Sequence, residues 1–266
     1  MSAMEMFWAA PPVARTITAI TVALSVPVHM QLIPGYYVAF LTYRVFTWRI
    51  IPEVWRLLTP FFITSPNLGL LMDPYFLWMY SSQLERESSR FSQPGEFFTY
   101  LIFVCSVILM TCGIGMDGVF FLSALTLALA YTYAQDNPNR QLTYFIVTFS
   151  AKYLPFAMLA LTLVMASPRA ALEQSTGLVA AHAYEFLTKI WPEHGGGRKV
   201  INTPAFVARW FATAPGVAAQ RSYGTAYTGT SGAQNVGQQG QAGGNGGWAS
   251  GSSWSSRGQG RRLGGN

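Results

Sequence analysis

Residues 53–61 read EVWRLLTPF: a Glu and an Arg three positions apart, around a Trp, inside a stretch that is otherwise apolar. Working outward, residues 36–63 hold Arg44, Arg49 and Arg56, Glu53, and the aromatic side chains Tyr36, Tyr37, Phe40, Tyr43, Phe46, Trp48, Trp55, Phe61 and Phe62. As a spanning helix this segment would carry three arginines at about 2.5–3.5 kcal/mol each, a penalty near ~10 kcal/mol that Leu, Ile and Phe at about 0.3–0.6 kcal/mol apiece do not offset. The segment is therefore expected to lie in a membrane interface, with its guanidinium heads and rings at headgroup level. Pro52 is placed to open a short helix in which Glu53 and Arg56 share a face.

The rest of the chain sets the solvent. It is 51% hydrophobic and only 11% charged, well under the roughly 25% charged residues of a soluble domain. Six apolar segments approach the length of a spanning helix: 16–33, with Pro27 as a kink; 67–82; 97–116; 119–134; 142–165; and 170–190, entered through Ser167-Pro168-Arg169. Eight of the seventeen Lys and Arg lie from Lys189 onward and no acidic residue follows Glu193. An even span count with that basic tail puts both termini in the cytosol. The predicted layout is a cytosolic segment 1–15, a six-helix membrane domain 16–190 with 36–63 as its interfacial loop, and a cytosolic juxtamembrane segment 191–214. A removable signal peptide is not expected, because no basic region precedes the first apolar run. Cys105 and Cys112 fit two packing positions on one membrane helix.

Charges inside the apolar segments have two readings. Asp73, Lys152, His182 and Glu185 either snorkel or pair within the bundle, or they face a wet cavity. Beyond Trp210 the composition shifts to Gly, Ser, Ala, Gln and Asn. Residues 215–253 read as a disordered tether, and about 45 flexible residues reach roughly 40 Å. The terminal WSSRGQGRRLGGN (254–266) breaks the drift with Arg262 and Leu263 among glycines. On spacing alone, a docking peptide and a merely solubilising, RNA-binding or lipid-binding terminus fit it equally.

EVWRLLTPF resembles the Trp-Arg motif in the first lumenal loop of the rhomboid superfamily, and its surroundings resemble the derlin branch. QLERESS (83–89), NPNR (137–140), KYLP (152–155), GLVAAHAYEFL (177–187) and WPEHGGGRKVINTP (191–204) are similar to derlin motifs in the same order, over about residues 7–210. GQGRRLG (258–264) is similar to the peptide with which derlins recruit an AAA ATPase of the valosin-containing-protein class. One departure is Ala181, where the family's small-xxx-small motif has a second Gly; Gly177, Ala181 and His182 are then helix-packing residues.

This resemblance implies an all-α polytopic membrane protein, a six-transmembrane rhomboid-like bundle with an interfacial loop and a disordered C-terminal tail. It implies an endoplasmic-reticulum pseudoprotease that moves misfolded proteins to the cytosol for proteasomal degradation. Candidate residues for a lateral substrate opening between the second and fifth helices are Asp73, Tyr75, Phe76, Trp78, Lys152, Tyr153 and Phe156, with ordinary bundle packing as the alternative. Glu53, Trp55 and Arg56 anchor the loop, and Gly258, Gly260, Arg262 and Leu263 dock the ATPase. A membrane ubiquitin-ligase complex, the lipid bilayer and a second copy of the chain are further expected partners; nucleic acid and cofactors are not.

Two rivals belong to other classes. An active rhomboid-type protease needs a Gly-x-Ser-Gly turn on the fourth helix, but Ser123 lacks the flanking glycines, and the chain's Gly229-Thr230-Ser231-Gly232 lies in the tail. A solute transporter or channel would use Asp73, Lys152 and Glu185 as its polar path and would show two related halves; no such repeat is visible. Nor do His29, His182 and His194 have the spacing of a zinc site.

Overall fold

The computed structural model describes residues 5, 8–45, 53–66, 68–144, 147–194 and 201–212. Arg49, Pro52, the tether and the docking peptide with Gly258, Gly260, Arg262 and Leu263 lie outside the described residues. A helix occupies each of the six apolar segments: α1 Pro12–His29, α2 Gly69–Glu87, α3 Glu96–Ile108, α4 Leu122–Asp136, α5 Leu154–Met165 and α6 Pro168–Glu185. Wider π-helical turns extend α3 through Ile114 and α6 through Ile190. The run Glu96–Ile114 is long and apolar enough to cross a membrane by itself.

Local chemistry explains most of the boundaries. Pro12 and Pro168 sit in the first turns of α1 and α6, where a missing N–H costs nothing. Ser167 caps α6 by accepting from the Ala170 N–H at 3.1 Å. The second helix does not stop at Ser82: it runs on through Glu87, because Leu84 and Glu85 are buried and continue its packed face. The fifth apolar segment divides. Gln141–Tyr144 and Val147–Ser150 pair as an antiparallel hairpin, β1 and β2, and the helix begins only after a 3₁₀ turn at Ala151–Tyr153. LTYFIVTF is rich in β-branched and aromatic residues that favour strands, and Pro155 is accommodated only near a helix start, where α5 places it.

α4 is the hub. Leu122, Ala124–Ala130 and Thr132–Ala134 are all buried, as expected of a helix apolar on every side, and α2, α3, α5 and α6 pack around it. α1 packs outside α2. The tightest approach is to α6: a Cβ added at Gly177 would lie 1.8 Å from the Ala124 carbonyl oxygen. Ala181, one turn along the same face, is buried and fits.

Candidate functional site

Each end of the bundle is closed by a polar network. At one end stands the segment EVWRLLTPF, residues 53–61. Val54–Leu57 forms a 3₁₀ turn, and Arg56 is folded inward, 1% exposed. Its Nε donates to Glu53, one Nη donates to the Tyr36 carbonyl, and the same nitrogen reaches the Ala39 carbonyl at 2.7 Å. The guanidinium also lies 5.1 Å from the Tyr36 ring centre. Arg44 adds a second, more exposed partner to Glu53 at 3.6 Å. A planar guanidinium carries the several fixed donors needed to join these groups, and its burial is compensated because a carboxylate and carbonyls receive them. Trp55 points the other way, half exposed, its indole N–H donating to the Tyr37 carbonyl at 3.3 Å.

The loop is tied to the helices by Ser25 and Thr64, which no sequence pattern marked, and by His29, Asp73, Phe40 and Phe61 in roles other than those expected of them. Ser25 on α1 donates to the Phe62 carbonyl at 2.9 Å and accepts from the Thr64 N–H at 3.0 Å. The His29 Nε2 meets the Thr64 hydroxyl at 3.0 Å. Asp73 accepts from the Ser65 N–H at 2.7 Å, so it holds the loop exit. Phe61 and Phe40 close on Phe121 with ring centres 5.0 and 5.4 Å apart.

At the opposite end, QLERESS and NPNR, which are far apart in sequence, interlock. Glu85 accepts from the Val13 and Ala14 N–H groups at 3.2 and 2.8 Å and so caps α1, which has no capping side chain of its own. Arg86 donates to the Ala9 carbonyl. Glu87 pairs with Arg140 at 3.5 Å. Ser88 donates to Asp136 at 2.6 Å, while Arg90 bridges Asp136 on α4 and Glu185 on α6. Burial opposes the Arg90 charge, yet the Asp136 and Glu185 carboxylates outweigh it and hold its pKa above the usual value. Tyr131 completes the group, its hydroxyl 3.1 Å from His182 Nδ1 and 3.4 Å from Glu185. Glu185 is thus an ion-pairing residue of this collar, and His182, exposed beside Gly177 and Ala181, is joined to α4 by a hydrogen bond.

The candidates for a lateral opening sit as follows. α2 and α5 both pack on α4 but do not form a packed pair with each other. Tyr75 of α2 is 55% exposed; Phe76 is stacked on Tyr80, and Trp78 is half-buried. Phe156, in the first turn of α5, is 62% exposed; Lys152 and Tyr153 precede the helix, the ammonium 4.9 Å from the Tyr153 ring centre. The seven residues are not at one level. The Ala151 N–H donates to the Arg140 carbonyl at 2.8 Å, which fixes Lys152 near the end of α2 that carries Glu87. Asp73 lies fourteen residues up that helix, about 21 Å along its axis. Among the described residues no group of three or more His, Cys, Asp or Glu is arranged to hold a metal ion.

The Der1-like family model matches residues 10–205. Derlin-1 of Bos taurus is 30% identical over 212 residues, covering 77% of this chain and 81% of the relative. Derlin-1 of Homo sapiens is 29% identical over 211 residues with the same coverage. Derlin-2.1 of Zea mays is 31% identical over 180 residues, covering 63% of this chain and 71% of its own length. With its loop anchor and its interlocked end motifs inside the matched span, the chain belongs to the Der1-like, or derlin, family.

Proposed function

We propose that this protein is a catalytically inactive derlin of the endoplasmic-reticulum membrane that takes part in moving misfolded proteins to the cytosol for degradation. The single observation that carries the reading is the family match across residues 10–205. In this reading α1–α6 are six spans with both termini cytosolic. The Arg56 end is then lumenal, and the Arg90 end cytosolic.

Client segments enter between α2 and α5, where Tyr75, Trp78, Tyr153 and Phe156 offer exposed or half-exposed rings, and Asp73, Phe76 and Lys152 border the gap. The lack of a packed α2–α5 pair supports this. Membrane thinning is supported by α5, whose 12 residues rise only about 18 Å against roughly 30 Å of hydrocarbon. α2, at 19 residues, is not short in this sense. The tail recruits the ATPase through Gly258, Gly260, Arg262 and Leu263, and that partner supplies the energy. A membrane ubiquitin ligase completes the assembly.

Proteolysis is disfavoured by geometry as well as by motif. His182 is engaged by Tyr131, eight residues and about 12 Å along α4 from Ser123. A solute path through Asp73, Lys152 and Glu185 is disfavoured because Asp73 holds the loop exit at one end while Glu185 is ion-paired at the other.

The test uses the full-length protein in nanodiscs and a purified AAA ATPase of the valosin-containing-protein class. The wild type is expected to retain the ATPase and Leu263→Ala to lose it. Equal retention, or none by the wild type, removes the recruitment claim. Labelling of Ser123 by a serine-directed activity probe would remove the pseudoprotease claim.

A further inference from the structure

A further helix, α7 Ala205–Ala212, begins where the family match ends. Its sequence AFVARWFA carries two apolar i,i+4 pairs, Phe206/Trp210 and Val207/Phe211, one position apart and so about 100° apart around the axis. The second pair is used inside the protein. Val207 is 1% exposed, and the Phe211 ring centre lies 5.5 Å from that of Phe98 on α3. Gly95, in a left-handed conformation ahead of α3, makes the seat: a Cβ there would lie 2.9 Å from Val207 and 3.3 Å from Phe211. The first pair is left outside, with Phe206 70% and Trp210 76% exposed.

Two observations say what covers Phe206 and Trp210. α7 is seated on the first turn of α3, which opens the run able to cross a membrane by itself. The stripe that receives Phe211 continues from Phe98 to Ile102, one turn further along α3 and 51% exposed, so the docking face runs directly into an exposed apolar surface of the run able to cross a membrane. The flanking segment 189–209 carries Lys189, Arg198, Lys199 and Arg209 against one acidic residue, Glu193, a balance suited to anionic headgroups.

We propose that α7 is an interfacial membrane anchor. Phe206 and Trp210 insert among the headgroups and upper acyl chains of the bilayer, while Val207 and Phe211 lock the helix to α3. The tether then starts from a fixed point on the membrane surface. The proposal rests on the membrane setting of α3 and not on what the tail binds.

The test uses the full chain with Cys105 and Cys112 replaced by Ala, in nanodiscs of phosphatidylcholine and phosphatidylserine. A polarity-sensitive fluorophore is placed at Phe206→Cys, Trp210→Cys or, as the aqueous reference, Ser231→Cys. At 206 and 210 we expect blue-shifted emission, quenching by lipids with a nitroxide near the headgroup, and iodide quenching severalfold weaker than at 231. Emission and iodide quenching equal to those at 231 would overturn the proposal. So would shielding that appears only with two copies per disc, which would make the face a self-contact. A measurement without cysteine replacement is trypsin cleavage of the wild type in nanodiscs. Cleavage after Arg209 should be severalfold slower than after Arg221, and Phe206→Ser with Trp210→Ser should narrow the difference in nanodiscs, leaving only the protection given by the Val207 and Phe211 contacts; equal wild-type rates, or a difference unchanged by the two serines, would count against the anchor.

Discussion

Gly177→Ala tests the packing at the centre of the bundle. The new methyl carbon would sit 1.8 Å from the Ala124 carbonyl oxygen, where 3.4 Å marks an ordinary contact. The obstacle is α4 backbone, which has no rotamer to change. α4 and α6 must therefore separate by roughly 1.6 Å at this point, and a radial gap of about 0.5–1 Å already forfeits a quarter to a half of each dispersion contact. Overpacking in a well-filled core costs about 1–3 kcal/mol and sometimes more. A methyl driven against a buried carbonyl belongs at or above the top of that range, and helix propensity, which favours Ala by about 1 kcal/mol, offsets only part. We expect a net loss of about 2–3 kcal/mol in reversible unfolding of the purified protein in mixed micelles.

The neighbouring position gives the contrast. Ala181 is buried without a clash, so Ala181→Gly, which restores the family's Gly, removes a packed methyl and adds backbone entropy; about 1–2 kcal/mol should be lost. An unfolding midpoint unmoved by Gly177→Ala, or a gain in stability from Ala181→Gly, would refute this account of the α4–α6 contact.

Other expectations follow from the two collars. Arg56→Ala leaves Glu53 and two carbonyls without their shared donor and should cost about 3–5 kcal/mol; Arg56→Lys should recover only part, because an ammonium lacks the planar fork. Hydrogen exchange at residues 36–40 should accelerate in both. Glu85→Ala uncovers two N–H groups at the start of α1 and should cost about 2–4 kcal/mol, whereas Glu85→Gln keeps an acceptor and should cost about half as much; exchange of the Val13 and Ala14 amides reports it directly. Arg90→Gln leaves Asp136 and Glu185 without their common cation. With these side chains 11–22% exposed, a loss of about 1–3 kcal/mol is expected, and Glu185→Gln in the same chain should restore part of it.

Much of this was legible in one dimension. Hydropathy located the six helical segments, because each needs a long apolar run whatever its neighbours are. The cost of three arginines argued against a spanning helix over 36–63, although Phe40 and Phe61 of that segment pack into the core, and the i,i+3 spacing of Glu53 and Arg56 put them on one face, where they pair. Ser167 and Pro168 marked the start of α6 through local backbone chemistry. Where hydropathy misled, local and tertiary preferences competed. The 142–150 run is apolar enough to pass for helix, yet its β-branched and aromatic residues pair as a hairpin. The polar residues after Ser82 look like a link, yet burial of Leu84 and Glu85 carries α2 onward.

The sequence by itself determined that the chain is a helical membrane protein with a charged loop outside its apolar segments, since transfer energies and backbone periodicities act locally. Only the tertiary structure decided what the isolated charges do. Glu85 caps a helix 71 residues away, Arg90 joins two carboxylates 49 residues apart in sequence, and Gly177 is required because the α4 backbone lies against it. Such partners are set by the packing of whole helices around α4. No spacing along the chain encodes which carboxylate will meet which N–H, or which small residue will face a carbonyl instead of a side chain.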